Sequence, residues 1–170
     1  MRSSYRDALV FAFAAIVLAA APASSEEQHA SPPHGYGLRA GFGLQPDQFV
    51  VGLQTLLGHR LKPFRLAPSL DLGFGDDVTT YTLNGDLEIH LRLPHSRSFA
   101  YLGGGLGITH WDFQVVDPDT DLGLNLYAGT RLSTRGRMNY NIEARLGVGD
   151  VPEFRLFMGL LLGSGAPPEG

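Results

Sequence analysis

The sequence has no cysteine, one lysine and few charged residues, and each shortage excludes a class of protein. Without cysteine in 170 residues, the chain forms no disulfide framework, thiolate zinc site or redox pair. Charged side chains make up 18% of the chain, below the roughly 25% of ordinary soluble domains. The net charge of −4 argues against nucleic-acid binding, which usually requires a basic excess. We expect neither a metal nor a cofactor.

A hydrophobic run long enough to cross a membrane as a helix is also missing. The apolar stretch 8–21 is shorter than the roughly 20 residues that a spanning helix needs. It follows Arg2 and Arg6 and precedes Ala21-Pro22-Ala23, a pattern typical of a cleaved secretory signal peptide. The predicted organisation is a signal peptide over 1–23, a flexible leader over 24–35, a barrel domain over 36–163 and a disordered tail over 164–170.

The remaining sequence alternates apolar and polar residues with a period of two, which is typical of β-strands. Gly, Pro, Asp and Ser clusters separate the segments. The predicted strands are 36–44, 49–57, 64–74, 79–93, 99–111, 121–132, 138–148 and 153–162. Because the connections are short, consecutive strands should pair as antiparallel neighbours. The pattern predicts an all-β, eight-stranded antiparallel up-and-down meander.

The two faces of these strands differ sharply in chemistry. One face carries large apolar residues and no Asp, Glu, Lys or Arg in any predicted strand. The other face carries charged residues that we predict to form a lumenal ion-pair network. They are Arg39, Arg65, Asp71, Asp86, Glu88, His90, Arg92, Arg131, Glu143, Arg145 and Arg155.

Which face lies inside decides the class of protein. An apolar interior would describe a lipocalin-type barrel or a two-sheet sandwich, in either case a periplasmic or secreted protein that binds a small apolar ligand. The apolar face would overfill a closed eight-stranded barrel, whose interior is narrow. An apolar exterior instead lets arginines and carboxylates satisfy one another in the lumen. A closed barrel is also the only β structure that satisfies its backbone within lipid. We therefore predict a transmembrane β-barrel.

Aromatic residues and turn charges add to this prediction. Aromatic side chains on the apolar face gather near strand ends, as in the interfacial girdles of membrane barrels. They are Tyr36, Phe42, Phe49, Phe64, Phe74, Tyr81, Tyr140 and Phe154. The odd connections are acidic and the even ones basic. Because odd and even turns of a meander lie at opposite ends, the barrel should have one acidic and one basic mouth.

A signal peptide followed by eight alternating strands resembles the small bacterial outer-membrane barrel family typified by the OmpA transmembrane domain and OmpX. The resemblance covers residues 36–162. It implies a location in the outer membrane of a Gram-negative cell, with both termini and the basic turns in the periplasm. It also implies contact with membrane lipid and lipopolysaccharide, insertion by the barrel assembly machinery, and a monomer. Pro68 lies within the third strand, where we expect a bulge because proline donates no ladder hydrogen bond.

Catalytic and binding motifs are weak. His90, Asp86 and Glu88 share a face with Ser69 and Asp71 on the neighbouring strand, which leaves open a lipid A-modifying enzyme. A ladder of ion pairs is the favoured interpretation. The run 117–121 spaces three aspartates like the start of a calcium loop but lacks the glycine and glutamate that such a loop requires. The preferred function is therefore non-enzymatic: a structural, adhesive or protective role at the cell envelope.

Overall fold

The computed structural model describes residues 35–61, 63–92, 98–114, 117–134 and 138–163. The predicted signal peptide, leader and tail lie outside these ranges and stay predictions, as do most residues of the basic connections. No helix of the described residues is long and apolar enough to cross a bilayer.

Eight antiparallel strands form a single closed barrel in sequence order. They are β1 (Gly35–Leu44), β2 (Gln48–Leu61), β3 (Phe64–Phe74), β4 (Val78–Arg92), β5 (Ser98–Phe113), β6 (Asp119–Ser133), β7 (Met138–Gly149) and β8 (Phe154–Gly163). The first and last strands close the barrel through a ladder that runs from Gly35 opposite Gly163 to Leu44 opposite Phe154. The predicted fold class is confirmed, and it excludes the two-sheet sandwich.

The apolar face is on the outside. In β1, Leu38 exposes 63% of its surface, whereas the adjacent Arg39 exposes 4%. The same alternation continues around the barrel, with exposed Leu83, Leu106 and Met158 on the exterior. This arrangement excludes the barrel with an apolar interior, because the residues that would line its cavity point away from the lumen.

The irregularity expected at Pro68 lies elsewhere, so that prediction is wrong. Pro68 pairs with Gly85 in the unbroken β3–β4 register. On the β2 side, Gln54 opposite Ser69 and Leu57 opposite Leu66 keep one register across the proline. The register shift falls between Leu57 and Leu61. Pro68 has no N–H group to donate, and the β2–β3 ladder has a local gap in pairing at this position. The extra residues of β2, the longer strand, are accommodated by the register shift near its end.

Glycines make room for large side chains inside the barrel. Gly103 lies opposite Tyr127, and Gly129 lies opposite Tyr101. A Cβ atom at either glycine would collide with the facing tyrosine ring. The two buried tyrosine rings meet edge to face, with centroids 6.1 Å apart. Omitting a side chain on one strand therefore allows an aromatic ring on the next to fill the narrow lumen.

The β7–β8 turn folds inward across the acidic mouth. Val151 and Pro152 are buried, although both belong to a turn. The Val151 side chain occupies the space above Gly123 and Gly147, where an added Cβ would lie 2.7 and 2.8 Å from its methyl groups. The Gly147 amide donates to the Glu153 carbonyl at 2.9 Å. This turn caps the lumen at that end.

Candidate functional site

The centre of the lumen is organised around Arg39. Its guanidinium donates from Nε to Asp71 Oδ1 at 2.8 Å and from Nη2 to Asp71 Oδ2 at 2.7 Å. Its Nη1 donates to Glu143 Oε1 at 3.1 Å, and Nη2 also reaches the Ser69 hydroxyl at 2.8 Å. The face of the guanidinium lies over the Phe157 ring, 4.3 Å from its centroid. This bidentate, stacked geometry is one that arginine provides and lysine does not.

The ion pairs continue on both sides of this centre. Glu143 Oε1 also accepts from Arg145 Nη2 at 3.1 Å, and Arg145 Nη1 lies 2.7 Å from Asp86 Oδ2. On the other side, Arg155 Nη1 lies 3.7 Å from Asp71 Oδ2. Cations and anions thus alternate across the lumen from Arg155 to Asp86.

A second cluster lies nearer the basic mouth. Arg131 Nη1 donates to Glu88 Oε1 at 3.1 Å, and His90 Nε2 contacts the same carboxylate oxygen. Arg65 is half-buried at this end of the barrel. The side chain of Arg92 lies outside the described residues, so its place in the predicted network stays a prediction.

The fully buried charges of the described lumen are balanced, and little space remains among them. Four guanidinium groups face four carboxylates, and all eight side chains are buried. They are Arg39, Arg131, Arg145, Arg155, Asp71, Asp86, Glu88 and Glu143. A cavity of about 10 Å³ remains among them, close to the smallest space that holds one water molecule. Ion flow along the lumen would require these pairs to separate.

Three aromatic residues join this network although the sequence analysis did not select them. The guanidinium groups of Arg131 and Arg145 lie 4.6 and 4.4 Å from the ring centroids of Tyr101 and Tyr127. Phe157 stacks on Arg39 as described above. The signal was available, because all three residues occupy the inward parity of their strands. The charge pattern alone does not reveal these contacts, because an aromatic ring carries no charge that could be matched with a partner.

The side chains predicted to form the aromatic girdle are on the exterior. Seven of them are exposed, and Phe154 is half-buried. Phe42 and Phe49 contact each other edge to face across the β1–β2 ladder, with centroids 5.7 Å apart.

The serine and the histidine of the suggested lipid-modifying site lie apart in the barrel. Ser69 lies opposite Asn84 in the β3–β4 register, six positions from His90 along β4. The Ser69 hydroxyl accepts hydrogen bonds from Arg39 and Asn84, whereas His90 contacts Glu88 and Arg131. The structure does not bring Ser69 and His90 within reach of each other.

An open cavity of about 340 Å³ lies at the acidic mouth. It forms because the β5–β6 hairpin extends beyond β7, whose pairing with β6 ends at Gly123 opposite Gly149. The lining residues come from this overhang, from the end of β7 and from the turns before β2 and β8. They are Gln45, Trp111, Phe113, Asp119, Asp121, Gly149, Asp150, Val151 and Glu153.

Comparisons with known proteins show which solved structures share this fold. No protein-family model and no curated protein sequence matches the chain. The crystal structure of Neisserial surface protein A (NspA) matches with a TM-score of 0.60 and 14% identity, covering 78% of this chain and 96% of that one. The fold is that of the small outer-membrane barrels.

Two further solved structures are similar. The N-terminal β-barrel domain of Pseudomonas aeruginosa OprF matches with a TM-score of 0.57 and 13% identity, covering 78% of this chain and 100% of that one. The outer membrane enzyme PagL matches with a TM-score of 0.44 and 10% identity, covering 74% of this chain and 95% of that one. The predicted resemblance to small outer-membrane barrels is confirmed at the level of structure.

Proposed function

We propose that this chain is a monomeric outer-membrane barrel with a structural, adhesive or protective role at the cell surface, and that it is not an enzyme. The observation that carries the proposal is that the apolar face of the barrel is outside and the charged face is inside. Leucines such as Leu38 and Leu83 cover the exterior, while four arginines and four carboxylates fill the lumen. Such a surface is stable against lipid and unfavourable in water. The lipid, lipopolysaccharide and barrel assembly machinery of the outer membrane are the expected partners.

The filled lumen supports a closed barrel rather than an open pore. An eight-stranded barrel encloses only enough space for side chains or one small ligand. Here the space is taken by ion pairs, two buried tyrosines and the inward β7–β8 turn. Because the lumen is filled, we expect the protein to act through its rims or its outer surface.

Cell fractionation tests the location. We expect the chain in the outer-membrane fraction, with a gel mobility that changes on boiling because the closed barrel resists detergent until heated. A soluble periplasmic chain without this shift would overturn the proposal. The Arg39→Leu variant is a control that the mobility shift reports unfolding of the barrel. We expect it to destabilise the barrel and so to lower the temperature at which the shift occurs.

The absence of cysteine allows a clean test of orientation. Asp76→Cys places a thiol on the acidic β3–β4 turn, and Pro63→Cys places one on the β2–β3 connection at the other end; both positions are exposed. A membrane-impermeant maleimide added to intact cells should label the Asp76→Cys variant and leave the Pro63→Cys variant unlabelled. The reverse pattern would place the acidic mouth in the periplasm.

A further inference from the structure

We propose that the cavity at the acidic mouth, named here the rim cavity and defined by the residues that line it, binds an organic ammonium ion. One wall is aromatic. Trp111 and Phe113 project from the same face of β5 with nearly parallel rings, at an interplanar angle of 6° and a centroid distance of 6.1 Å. Aromatic faces attract a cation through the ring quadrupole, and this is how proteins recognise quaternary ammonium groups.

The rest of the rim cavity supplies negative charge. Asp119 and Asp121 lie on the overhanging part of β6, and Asp150 and Glu153 come from the β7–β8 turn. No arginine, lysine or histidine is among the described lining residues. Within the described ranges no cation pairs with Asp121 or Asp150, whereas each lumenal carboxylate has an arginine partner. The aromatic wall and the carboxylates face a shared space.

The size and floor of the rim cavity fit a small ligand. Its volume of about 340 Å³ lies at the lower end of the range of about 300–1,000 Å³ for small-molecule sites. Val151 is 3% exposed, packs over Gly123 and Gly147, and forms an apolar floor of the cavity. The indole nitrogen of Trp111 is shielded from solvent and has no hydrogen-bond partner among the described residues. Because this nitrogen is closed to solvent, Trp111 offers the cavity its ring rather than its N–H group.

A ligand outside the cell reaches the rim cavity only if the acidic mouth faces outward, as in the proposed function. Binding of the ligand to the cavity does not depend on that orientation. A loss of binding and a wrong orientation are therefore separate results. The maleimide experiment reports on orientation, and the titration described next reports on the rim cavity in purified protein.

Trp111 is the only tryptophan of the chain, so its fluorescence reports directly on the cavity. The mature protein would be refolded in a non-ionic maltoside, because zwitterionic detergents carry a competing quaternary ammonium group. Choline should change the emission in a saturable way. Its neutral isostere 3,3-dimethylbutan-1-ol has the same shape without charge and should cause no saturable change. An equal response to both compounds would overturn the proposal.

Matched variants test whether the aromatic wall and the carboxylates of the rim cavity both contribute to binding. Asp121→Asn removes a lining carboxylate, and Phe113→Leu removes an aromatic face while keeping an apolar side chain. Each should weaken choline binding about three- to fivefold, as expected for exposed ionic and cation–π contacts. Asp76→Asn removes a carboxylate from the same mouth outside the cavity and should leave the affinity unchanged. An equal effect of Asp76→Asn and Asp121→Asn would show general attraction to an acidic surface and overturn the assigned site.

A divalent cation provides the last comparison. Calcium ions should compete with choline only weakly, because binding through ring faces requires an organic cation. If calcium alone reproduced the full change in emission and displaced choline at equal concentration, the rim cavity would be a metal-binding surface and the proposal would be wrong.

Discussion

Arg39 and Asp71 form a bidentate ion pair across a strand that lies between them. Arg39 belongs to β1 and Asp71 to β3, and both lie opposite Gly52 of the intervening β2. A Cβ atom at Gly52 would collide with Asp71 Oδ1 and lie 3.3 Å from Arg39 Cγ. The missing side chain of Gly52 is what lets the two charged groups meet.

The first prediction concerns this ion pair. Arg39→Leu should lower the free energy of unfolding by about 3–5 kcal/mol, because it removes the bidentate partner of the buried Asp71 and one of the two arginines that pair with the buried Glu143. Chemical denaturation of the refolded barrel, followed by tryptophan emission, measures the change. The double variant Arg39→Leu/Asp71→Leu should recover part of the loss, since it removes both charges. Additive losses in the double-mutant cycle would show that the two side chains do not interact.

The second prediction concerns Gly52 itself. Gly52→Ala should destabilise the barrel by about 1–3 kcal/mol, because the added methyl group overpacks a filled interior. Gly85→Ala is the matched control: Gly85 also lies within a strand, yet its added Cβ would meet nothing within 4 Å. Equal unfolding midpoints for these two variants would contradict the close packing between Arg39 and Asp71.

The third prediction concerns the hydroxyl group of Tyr101. This group donates to Glu143 Oε2 at 3.1 Å inside the barrel. Tyr101→Phe should cost about 1.5–3 kcal/mol, the range for hydrogen bonds to charged groups. Tyr140→Phe removes a hydroxyl group from an exposed exterior position and should have little effect in the same denaturation experiment. A stable Tyr101→Phe protein would mean that Glu143 is satisfied by its two arginines alone.

The fourth prediction tests the lipid-facing exterior. Leu126 lies near the middle of β6, while Met138 begins β7, and both are exposed. Leu126→Arg should destabilise the barrel in lipid vesicles by about 2–4 kcal/mol, and Met138→Arg by about 0–1 kcal/mol, because the cost of a charge depends on its depth in the bilayer. Similar costs at both depths would argue against a membrane-spanning exterior. The difference should disappear if the face is simply in contact with water.

Much of the fold could be predicted because a period of two identifies the strands and separates their apolar face from their charged face. The alternation over 138–148 and 153–162 yielded β7 and β8 nearly as observed, since one face of each strand is uniformly apolar. Strand ends were less well predicted. β2 reaches Leu61 rather than residue 57, and β5 reaches Phe113 rather than residue 111. The residues of these two extensions do not continue the alternation between apolar and polar side chains, so the sequence does not show that the strands continue.

The candidate sites depended more heavily on contacts between distant parts of the chain. The rim cavity brings Trp111 of β5 together with Asp150 and Val151 of the last turn. The sequence analysis placed the aspartates of 117–121 at the acidic mouth but did not predict a cavity there, because no pattern in the sequence shows how far a hairpin overhangs its neighbours. That overhang results from the unequal lengths of paired strands.

The sequence by itself determined that this chain builds strands with one apolar and one charged face, since two-residue periodicity places alternate side chains on opposite faces. It also favoured an enclosed charged face, because arginines and carboxylates can satisfy one another in a narrow lumen. Only the tertiary structure decided which charges pair. Arg39 reaches past β2 to Asp71 of β3 and past β8 to Glu143 of β7. These partners are set by barrel closure and side-chain reach rather than by separation along the chain.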